Sequence, residues 1–397
     1  VSGPPDDLHG RVLEITGGIA IVRGAAADVR TPTDPSWRPG DLVRAGPAGL
    51  AERVRPFPGG DYPAPHHEVA RLPRARLANL ETRASALAAL RGYFAEQGFL
   101  EVETPLWVES PGLEVMLDPV PADGGWLITS PEFQMKRLLA AGLERIYQVC
   151  RCFRNEESGT QHLREFTMVE WYRGWDELSA IAADVEQLVA RICPRRENGG
   201  PYARWGGREI DVTPPWPRMT VAEVMRTWAG FEVRGDEPAE ELAAAAAAAG
   251  IELGGATSWD DVFYTSFVAR VDPAIAALER PLLVTDWPLP LAALARQRSD
   301  GAPVVERFEA YIGGVELANA FGELTDPHIQ ARRFTAERAE RAARGKSVYP
   351  IDERLLAALA EGLPPCAGVA LGFDRLIMLA TGASHIRDVV AFGHGEL

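Results

Sequence analysis

Lysine is nearly missing from this chain: of 41 basic residues only Lys136 and Lys346 are lysines. Alongside heavy alanine, glycine and proline usage, the arginine excess reads as the codon bias of a GC-rich genome rather than selection for guanidinium chemistry. Cysteine is scarce too, limited to Cys150, Cys152, Cys193 and Cys366. One C-x-C and two isolated residues fit neither a zinc-ligand spacing nor a secreted disulfide framework, so four buried thiols in a reducing cytoplasm are expected. No apolar run approaches the ~20 residues needed to span a bilayer, and no signal peptide heads the chain. Membrane and secreted readings are set aside. An initiator methionine is replaced by Val1, as a GUG start or a trimmed chain would give. Positive charge is in deficit, with 41 basic against 56 acidic residues and a net charge of −15. Proteins that grip nucleic acid through its phosphates are usually basic over at least one face, so the balance argues against nucleic acid as the main partner. Repeats of fixed period are absent as well.

What is present is a chain of 397 residues, 46% hydrophobic and 24% charged, enough for two to three domains at ~150 residues each. Residues 1–75 differ in texture from the rest. Gly10 to Arg23 alternates apolar and polar residues around Gly17-Gly18 and predicts a β-hairpin. Trp37 to Arg44 predicts a turn entering another strand, and a connector rich in proline and glycine follows. A small β-barrel-like appendage, a reduced OB type, is expected, with no aromatic pair flanked by basic residues of the kind that stacks nucleotides. Residues 76–397 read as one α+β domain, its strands and helices alternating without a regular βαβ rhythm. Leu80 to Glu96 predicts an amphipathic helix carried by Ala84, Leu87, Leu90, Tyr93 and Phe94 and stopped by Gly98. Glu240 to Ala249 is a helix by alanine propensity alone.

Three stretches put charge where a plain structural element would not. Arg151 to Arg173 reads as strand, polar loop, strand. Period-two geometry puts Arg154 and Glu156 on one face of the first strand, and Phe166, Met168, Glu170 and Tyr172 on one face of the second. An arginine fork suits a phosphate or carboxylate and an aromatic face suits a nucleobase. A solvated hairpin would explain the charges but not Phe166 and Tyr172. In the second stretch Gly368, Ala370 and Gly372 leave one strand face nearly bare, so a ligand or another element must lie against it; Arg375 follows on an apolar helix. The third, Gly314 to Asp326, carries Glu316, Asn319 and Glu323 in an apolar run. Carboxylates there are costly unless paired with a cation, and two near a triphosphate would suit Mg²⁺.

In this order the three stretches resemble the catalytic core of class II aminoacyl-tRNA synthetases, in the lysyl branch. Phe153-Arg154-Asn155-Glu156 through Phe166-Thr167-Met168 looks like motif 2, and Gly368 to Arg375 like motif 3. Gly98-Phe-Leu-Glu-Val-Glu-Thr-Pro105 with its preceding helix looks like motif 1, which in the family builds the dimer interface. Thr129 to Arg137 resembles the loop that receives the amino acid's α-amino group. The resemblance spans about residues 80–395. Within the branch it is nearer the elongation factor P–lysine ligases. The catalytic domain is compact, and the residues before it are too few and too poorly patterned for a full anticodon-binding barrel. Ala370 also stands where the tRNA enzymes usually carry a second glycine, and an added methyl there changes pocket shape.

The resemblance implies an α+β, class II synthetase-like antiparallel sheet flanked by helices, with a small N-terminal β-rich appendage. It implies ATP-dependent activation of lysine, (R)-β-lysine foremost, as an acyl-adenylate, and transfer to a lysine side chain of elongation factor P. The enzyme would be a cytoplasmic homodimer using ATP and Mg²⁺, without stable tRNA binding. The alternatives are a shortened lysyl-tRNA synthetase-like enzyme charging tRNA or another amine, and a non-catalytic paralogue serving as a binding module. By resemblance Arg154 and Arg375 are catalytic. Arg154 contacts the substrate carboxylate and α-phosphate, Glu156 the adenine edge, Phe166 and Arg375 sandwich the ring, and His162 lies near the outer phosphates. Asn155, Glu316, Leu317 and Gly372 complete the ATP site. Ser130, Pro131 and Glu132 serve the α-side amine, while Glu170, Tyr172, Asn319 and Glu323 serve the terminal ammonium beside Ala370. Glu316 with Glu323 would hold the metal. One departure stands out: His162-Leu163-Arg164-Glu165-Phe166-Thr167 replaces the family's usual His-Asn-Pro-Glu-Phe-Thr, which alters the motif 2 loop.

Overall fold

The computed structural model describes residues 8–45, 51–155, 158–393 and 395–396. The chain divides into two compact units, Val1–Ala78 and Asn79–Leu397. In the first, β1 (Leu8–Thr16) turns back into β2 (Ile19–Arg23) through Gly17 and Gly18. Their φ angles of 59° and 78° are the left-handed geometry a two-residue hairpin demands. With β3 (Asp28–Pro32), β4 (Leu42–Ala45) and β5 (Ala51–Arg55) they pair in the order β3-β2-β1-β4-β5. Leu8, Val12, Ala20, Val22, Trp37 and Val43 form its small core. The β-rich appendage expected from sequence is thus a five-stranded antiparallel sheet, in which β3 and β5 are not paired among the described residues. A single-turn helix α1 (Glu68–Arg71) follows, and Arg23 holds it by donating to the carbonyls of Val69 at 3.1 Å and Leu72 at 3.0 Å.

Helix α2 (Arg74–Glu96) starts earlier than its apolar spacing predicts and ends before Gly98, whose φ is 73°. Ala86, Leu90, Tyr93 and Phe94 face the core, whereas Ala84 is exposed. After the short edge strand β6 (Leu100–Glu101), strands β7 (Trp107–Val108), β8 (Pro121–Ala122) and β9 (Gly125–Leu127) make a small three-stranded sheet. Helix α3 (Glu132–Ala140) leads into β10 (Arg145–Phe153) and β11 (Glu165–Gly174), and α4 (Leu178–Ile192) packs behind them. A hairpin, β12 (Tyr202–Trp205) with β13 (Arg208–Asp211), precedes β14 (Arg218–Thr220). A helical block follows, containing α5 (Val221–Val224), α6 (Ala239–Ala248), α7 (Trp259–Ser266) and α8 (Asp272–Ala277). The alanine run forms α6 as its propensity predicts, and it buries Leu242 and Ala246 against Val262 and Phe263. The chain ends with β15 (Leu282–Pro288), β16 (Val304–Ile312), β17 (Val315–Gly322), α9 (Pro327–Ala343), α10 (Glu353–Gly362), β18 (Cys366–Gly372) and α11 (Phe373–Thr381).

Eight strands form the main sheet in the order β14-β15-β16-β17-β18-β11-β10-β6. All pairs are antiparallel except the outermost at each edge, β14 with β15 and β6 with β10. Period-two alternation sorts the strand residues by face. Val169, Trp171, Ala318, Ala320, Val369 and Leu371 point to a core shared with Leu90 and Phe94 of α2, Val185 and Leu188 of α4, and Leu376 and Ile377 of α11. Each fully buried valine, leucine, isoleucine or phenylalanine among them contributes about 1.5–3 kcal/mol. Helices thus cover one face and leave the other to the polar residues. All four cysteines are buried and free, as their spacing predicts.

Candidate active site

The floor of the site is the bare strand β18. Gly368, Ala370 and Gly372 stand opposite Tyr172, Glu170 and Met168 of β11, and Ala370 also stands opposite Asn319 of β17. At Gly368 the missing side chain is filled by the protein itself: a Cβ there would lie 2.3 Å from Tyr172 Cε1 and 2.6 Å from Glu323 Oε1. At Gly372 the nearest atom would be Arg375 Cδ at an ordinary 3.5 Å. Above this floor opens a cleft of about 670 Å³, within the usual range for small-molecule sites. Ser130, Glu132, Arg154, His162, Phe166, Glu316, Leu317, Asn319, Ala370, Gly372 and Arg375 all line it, so these predicted residues converge on one space.

At one end the Arg154 guanidinium lies over the Phe166 ring, 5.1 Å from its centre, a cation–π contact that holds both side chains flat. Strand β10 ends at Phe153, so Arg154 continues its alternation just beyond the ladder. Glu156 lies outside the described residues. Arg375 donates to the Glu316 carbonyl at 2.6 Å, and its Nη2 is 2.6 Å from His162 Nε2. Because a guanidinium can only donate, His162 Nε2 must accept, which places the imidazole proton on Nδ1. The departure in the motif 2 loop has a structural sequel. Leu163 is buried in the core, and Arg164 donates to Asn155 Oδ1 at 2.6 Å instead of reaching the cleft. The Asn155 backbone N–H donates to the Asp118 carbonyl at 2.7 Å.

The other end is acidic and densely paired. Glu170 is buried, accepting from Tyr172 Oη at 2.5 Å and Ser130 Oγ at 2.8 Å. Burial, reinforced by the charge of Glu132, pushes its carboxyl up to about 8. Pro131 caps α3 and is buried in its first turn, which aims Glu132 and Lys136 along one helix face. Lys136, only 2% exposed, sits 2.5 Å from Glu132 Oε1 and 2.6 Å from Glu323 Oε2. Burial pulls its ammonium down, but the two carboxylates more than offset this and hold it above the ordinary lysine range. The predicted ammonium site therefore already contains an internal cation. Lys136 was visible as one of two lysines in the sequence, but nothing local gave its role.

The predicted metal pair does not assemble. Glu316 near the start of β17 and Glu323 just past its end are seven residues apart, about 23 Å at the usual rise per strand residue, and Glu323 is paired with Lys136. Among the described residues no group of three or more His, Cys, Asp or Glu could hold a metal ion. Glu309 on β16, which sequence reading missed, feels the charge of Glu316, as does Asp272. A bulge interrupts the β16–β17 ladder here. Tyr311 stands opposite Glu316 while Ala310 stands opposite Ala318, so Leu317 is extra and the strand's alternation shifts there. Glu309 accepts from Arg307 at 2.5 Å and from Tyr311, leaving Glu316, with its side chain 44% exposed, as the carboxylate open to the cleft. Arg307 also donates to Asn319 Oδ1 at 3.2 Å and packs over Trp287 at 4.3 Å.

Two further groups fix the geometry. Asp374, 2% exposed, accepts from Arg83 Nη1 of α2 at 2.5 Å and from the Thr167 amide of β11 at 2.8 Å. Arg83 Nη2 donates to Thr167 Oγ1 at 2.7 Å, so one buried triad joins α2, β11 and α11. Arg341, fully buried on α9, clamps the loop forming one cleft wall through the carbonyls of Glu114 at 2.8 Å and Leu117 at 2.9 Å.

Residues 67–396 match the family model described as tRNA synthetases class II (D, K and N). The chain is 42% identical over 333 residues to an elongation factor P–(R)-beta-lysine ligase of Photorhabdus laumondii, covering 81% of this chain and 96% of that protein. A ligase of the same name from Pectobacterium atrosepticum is 42% identical over 332 residues, with the same coverage. A lysine–tRNA ligase of Moorella thermoacetica is 36% identical over 316 residues, covering 78% of this chain but 64% of that enzyme. With the sheet, the bare strand and the Arg154–Phe166 and Arg375 constellation in place, the chain belongs to the class II tRNA synthetase (D, K and N) family.

Proposed function

We propose that this chain activates lysine, (R)-β-lysine foremost, with ATP as an acyl-adenylate and transfers it to a lysine side chain of elongation factor P. The observation that carries the reading is identity of about 40% along 96% of the length of ligases bearing that name. The methyl of Ala370 on an otherwise bare floor agrees with it. No helix among the described residues is long and apolar enough to cross a membrane.

In this reading ATP lies along the Arg154–Phe166 end. Phe166 and Arg375 hold the adenine between a ring and a guanidinium, and His162 and Asn155 border the phosphates. The substrate carboxylate attacks the α-phosphorus in line, the bond to the bridging oxygen breaks, and pyrophosphate leaves. Arg154 stabilises the charge that builds on the α-phosphate oxygens. The acceptor amine then attacks the acyl carbon, losing a proton as AMP departs. Glu316, open to the cleft and coupled to Glu309, fits one or two carboxylate contacts to Mg²⁺, which would neutralise phosphate charge. Asn319, which lines the cleft, and the buried Glu170, Tyr172 and Glu323 serve the terminal ammonium in this reading.

Pyrophosphate exchange tests the reading. Exchange dependent on (R)-β-lysine is expected, with weaker exchange on L-lysine, and Ala370→Gly is expected to narrow that preference about tenfold. No exchange with either diamino acid would sink the proposal.

A further inference from the structure

The stretch that departs from motif 2 has no part in the mechanism above. Leu163 and Arg164 stand there in place of the usual Asn-Pro. A proline ring would hold its own φ near about −65°, so an arginine at position 164 leaves one more backbone torsion to be restrained. Two side chains supply that restraint. Leu163 is buried in the main core and anchors the loop from below. Arg164 grips the opposite arm of the hairpin twice. Its carbonyl accepts from the Arg154 backbone N–H at 2.9 Å, and its Nη2 donates to Asn155 Oδ1 at 2.6 Å. A guanidinium only donates, so Oδ1 is the Asn155 atom that must face Arg164, and the orientation of that amide is thereby set. Asn155 is tied on its other side as well. Its backbone N–H donates to the Asp118 carbonyl at 2.7 Å, and the Asp118 carboxylate lies 2.5 Å from Arg341 Nη2 and 2.9 Å from Lys346 Nζ. A continuous brace therefore runs from the end of α9 through Asp118 and Asn155 to Arg164. Enclosed by it is Arg154, which lines the cleft and lies over Phe166.

We propose that Arg164 is a positioning residue: through Asn155 it sets where the Arg154 guanidinium meets the α-phosphate, replacing with a hydrogen bond the stiffness that a proline supplies covalently. Arg164 itself touches neither nucleotide nor amino acid. The inference rests on the lysine-activating reading above. Arg154 acts on charge that builds in the transition state, so a slackened Arg154 lowers kcat more than it weakens ATP binding. A displacement of about 1 Å is enough for a loss on the order of a hundredfold. An Arg164 that reached the phosphates directly would leave a different trace, a raised KM for ATP.

The test measures kcat and KM for ATP in pyrophosphate exchange with (R)-β-lysine, and thermal unfolding beside it. Wild type is compared with Arg164→Ala, Arg164→Lys, Asn155→Ala and the Arg164→Ala/Asn155→Ala double variant. Arg164→Ala is expected to lower kcat about ten- to a hundredfold, with KM for ATP within about threefold of wild type. Arg164→Lys keeps one donor for Asn155 Oδ1 and should recover at least about threefold of that loss. In the Asn155→Ala background Arg164→Ala should change kcat by less than about twofold, because the group it acts through is already gone. An unchanged kcat in Arg164→Ala overturns the assignment. So does a raised KM for ATP at constant kcat, which marks direct nucleotide contact, and so does an equal loss in both backgrounds, which marks a route that bypasses Asn155. If Arg164→Ala does not fold, the lysine variant decides: a kcat below wild type at unchanged KM for ATP supports the assignment, and a kcat equal to wild type with Asn155→Ala also indifferent overturns it. If wild type exchanges with neither (R)-β-lysine nor L-lysine, the lysine-activating reading fails and this inference falls with it. An active wild type with indifferent variants removes this inference alone.

Discussion

Gly368 and Gly372 are four residues apart on the same strand face, yet the structure gives them unequal weight. A methyl at position 368 would collide with the buried Tyr172 ring, which cannot retreat. Gly368→Ala should therefore cost about 1–3 kcal/mol of stability by overpacking, read from urea unfolding. Gly372→Ala meets only ordinary contacts and should stay within about 0.5 kcal/mol of wild type. Equal losses would contradict the steric account. Glu170 supports a second prediction. Its carboxyl, raised to about 8 by burial and Glu132, is protonated at neutral pH in the free site. An ammonium bound beside it favours the ionised form, so binding must expel that proton. Lysine affinity should rise with pH between about 6 and 8, and calorimetry in two buffers of different ionisation enthalpy should register proton release at pH 7. Affinity flat across that window would show that Glu170 does not face the ammonium.

At the scale of elements, the Arg83–Asp374–Thr167 triad joins the helix before motif 1 to motifs 2 and 3. Arg83→Met leaves Asp374 buried without its cation, and a loss of about 3–5 kcal/mol is expected in denaturant unfolding. Arg83→Lys should recover only part of it, since one ammonium cannot reproduce the fork spanning Asp374 and Thr167. The same scale explains what could be read in advance. The hairpin β10–β11, the bare strand β18 and the helix of alanines follow from period and propensity, which are local. The Glu316–Glu323 metal pair failed because proximity in sequence along a strand is distance in space. Glu309, whose charge Glu316 feels, comes from a neighbouring strand, and no spacing in the sequence announces that proximity. Lys136 and Arg307 neutralise the site from other elements for the same reason. Ala84 was placed in the helix core by periodicity, but the buried stripe runs through Ala86, Leu90, Tyr93 and Phe94, and Ala84 lies off it.

At the scale of the molecule, the chain is a synthetase-like catalytic unit with a small β-sheet unit ahead of it, and the family model begins only at residue 67. The net charge of −15 fits a protein acceptor better than a polyanion. Acidic residues in the cleft account for a small part of that surplus, and Lys136 and Arg307 offset some of it locally. The pocket reports the amino acid and the nucleotide, whereas the acceptor is chosen by surfaces outside it. The decisive measurement therefore supplies the enzyme with ATP and (R)-β-lysine together with elongation factor P and, in parallel, with tRNA. Intact-mass spectrometry of the factor and acid precipitation of the tRNA then report which is acylated. Elongation factor P should gain the mass of one lysyl group while tRNA stays unlabelled; acylation of tRNA alone would contradict the proposed function.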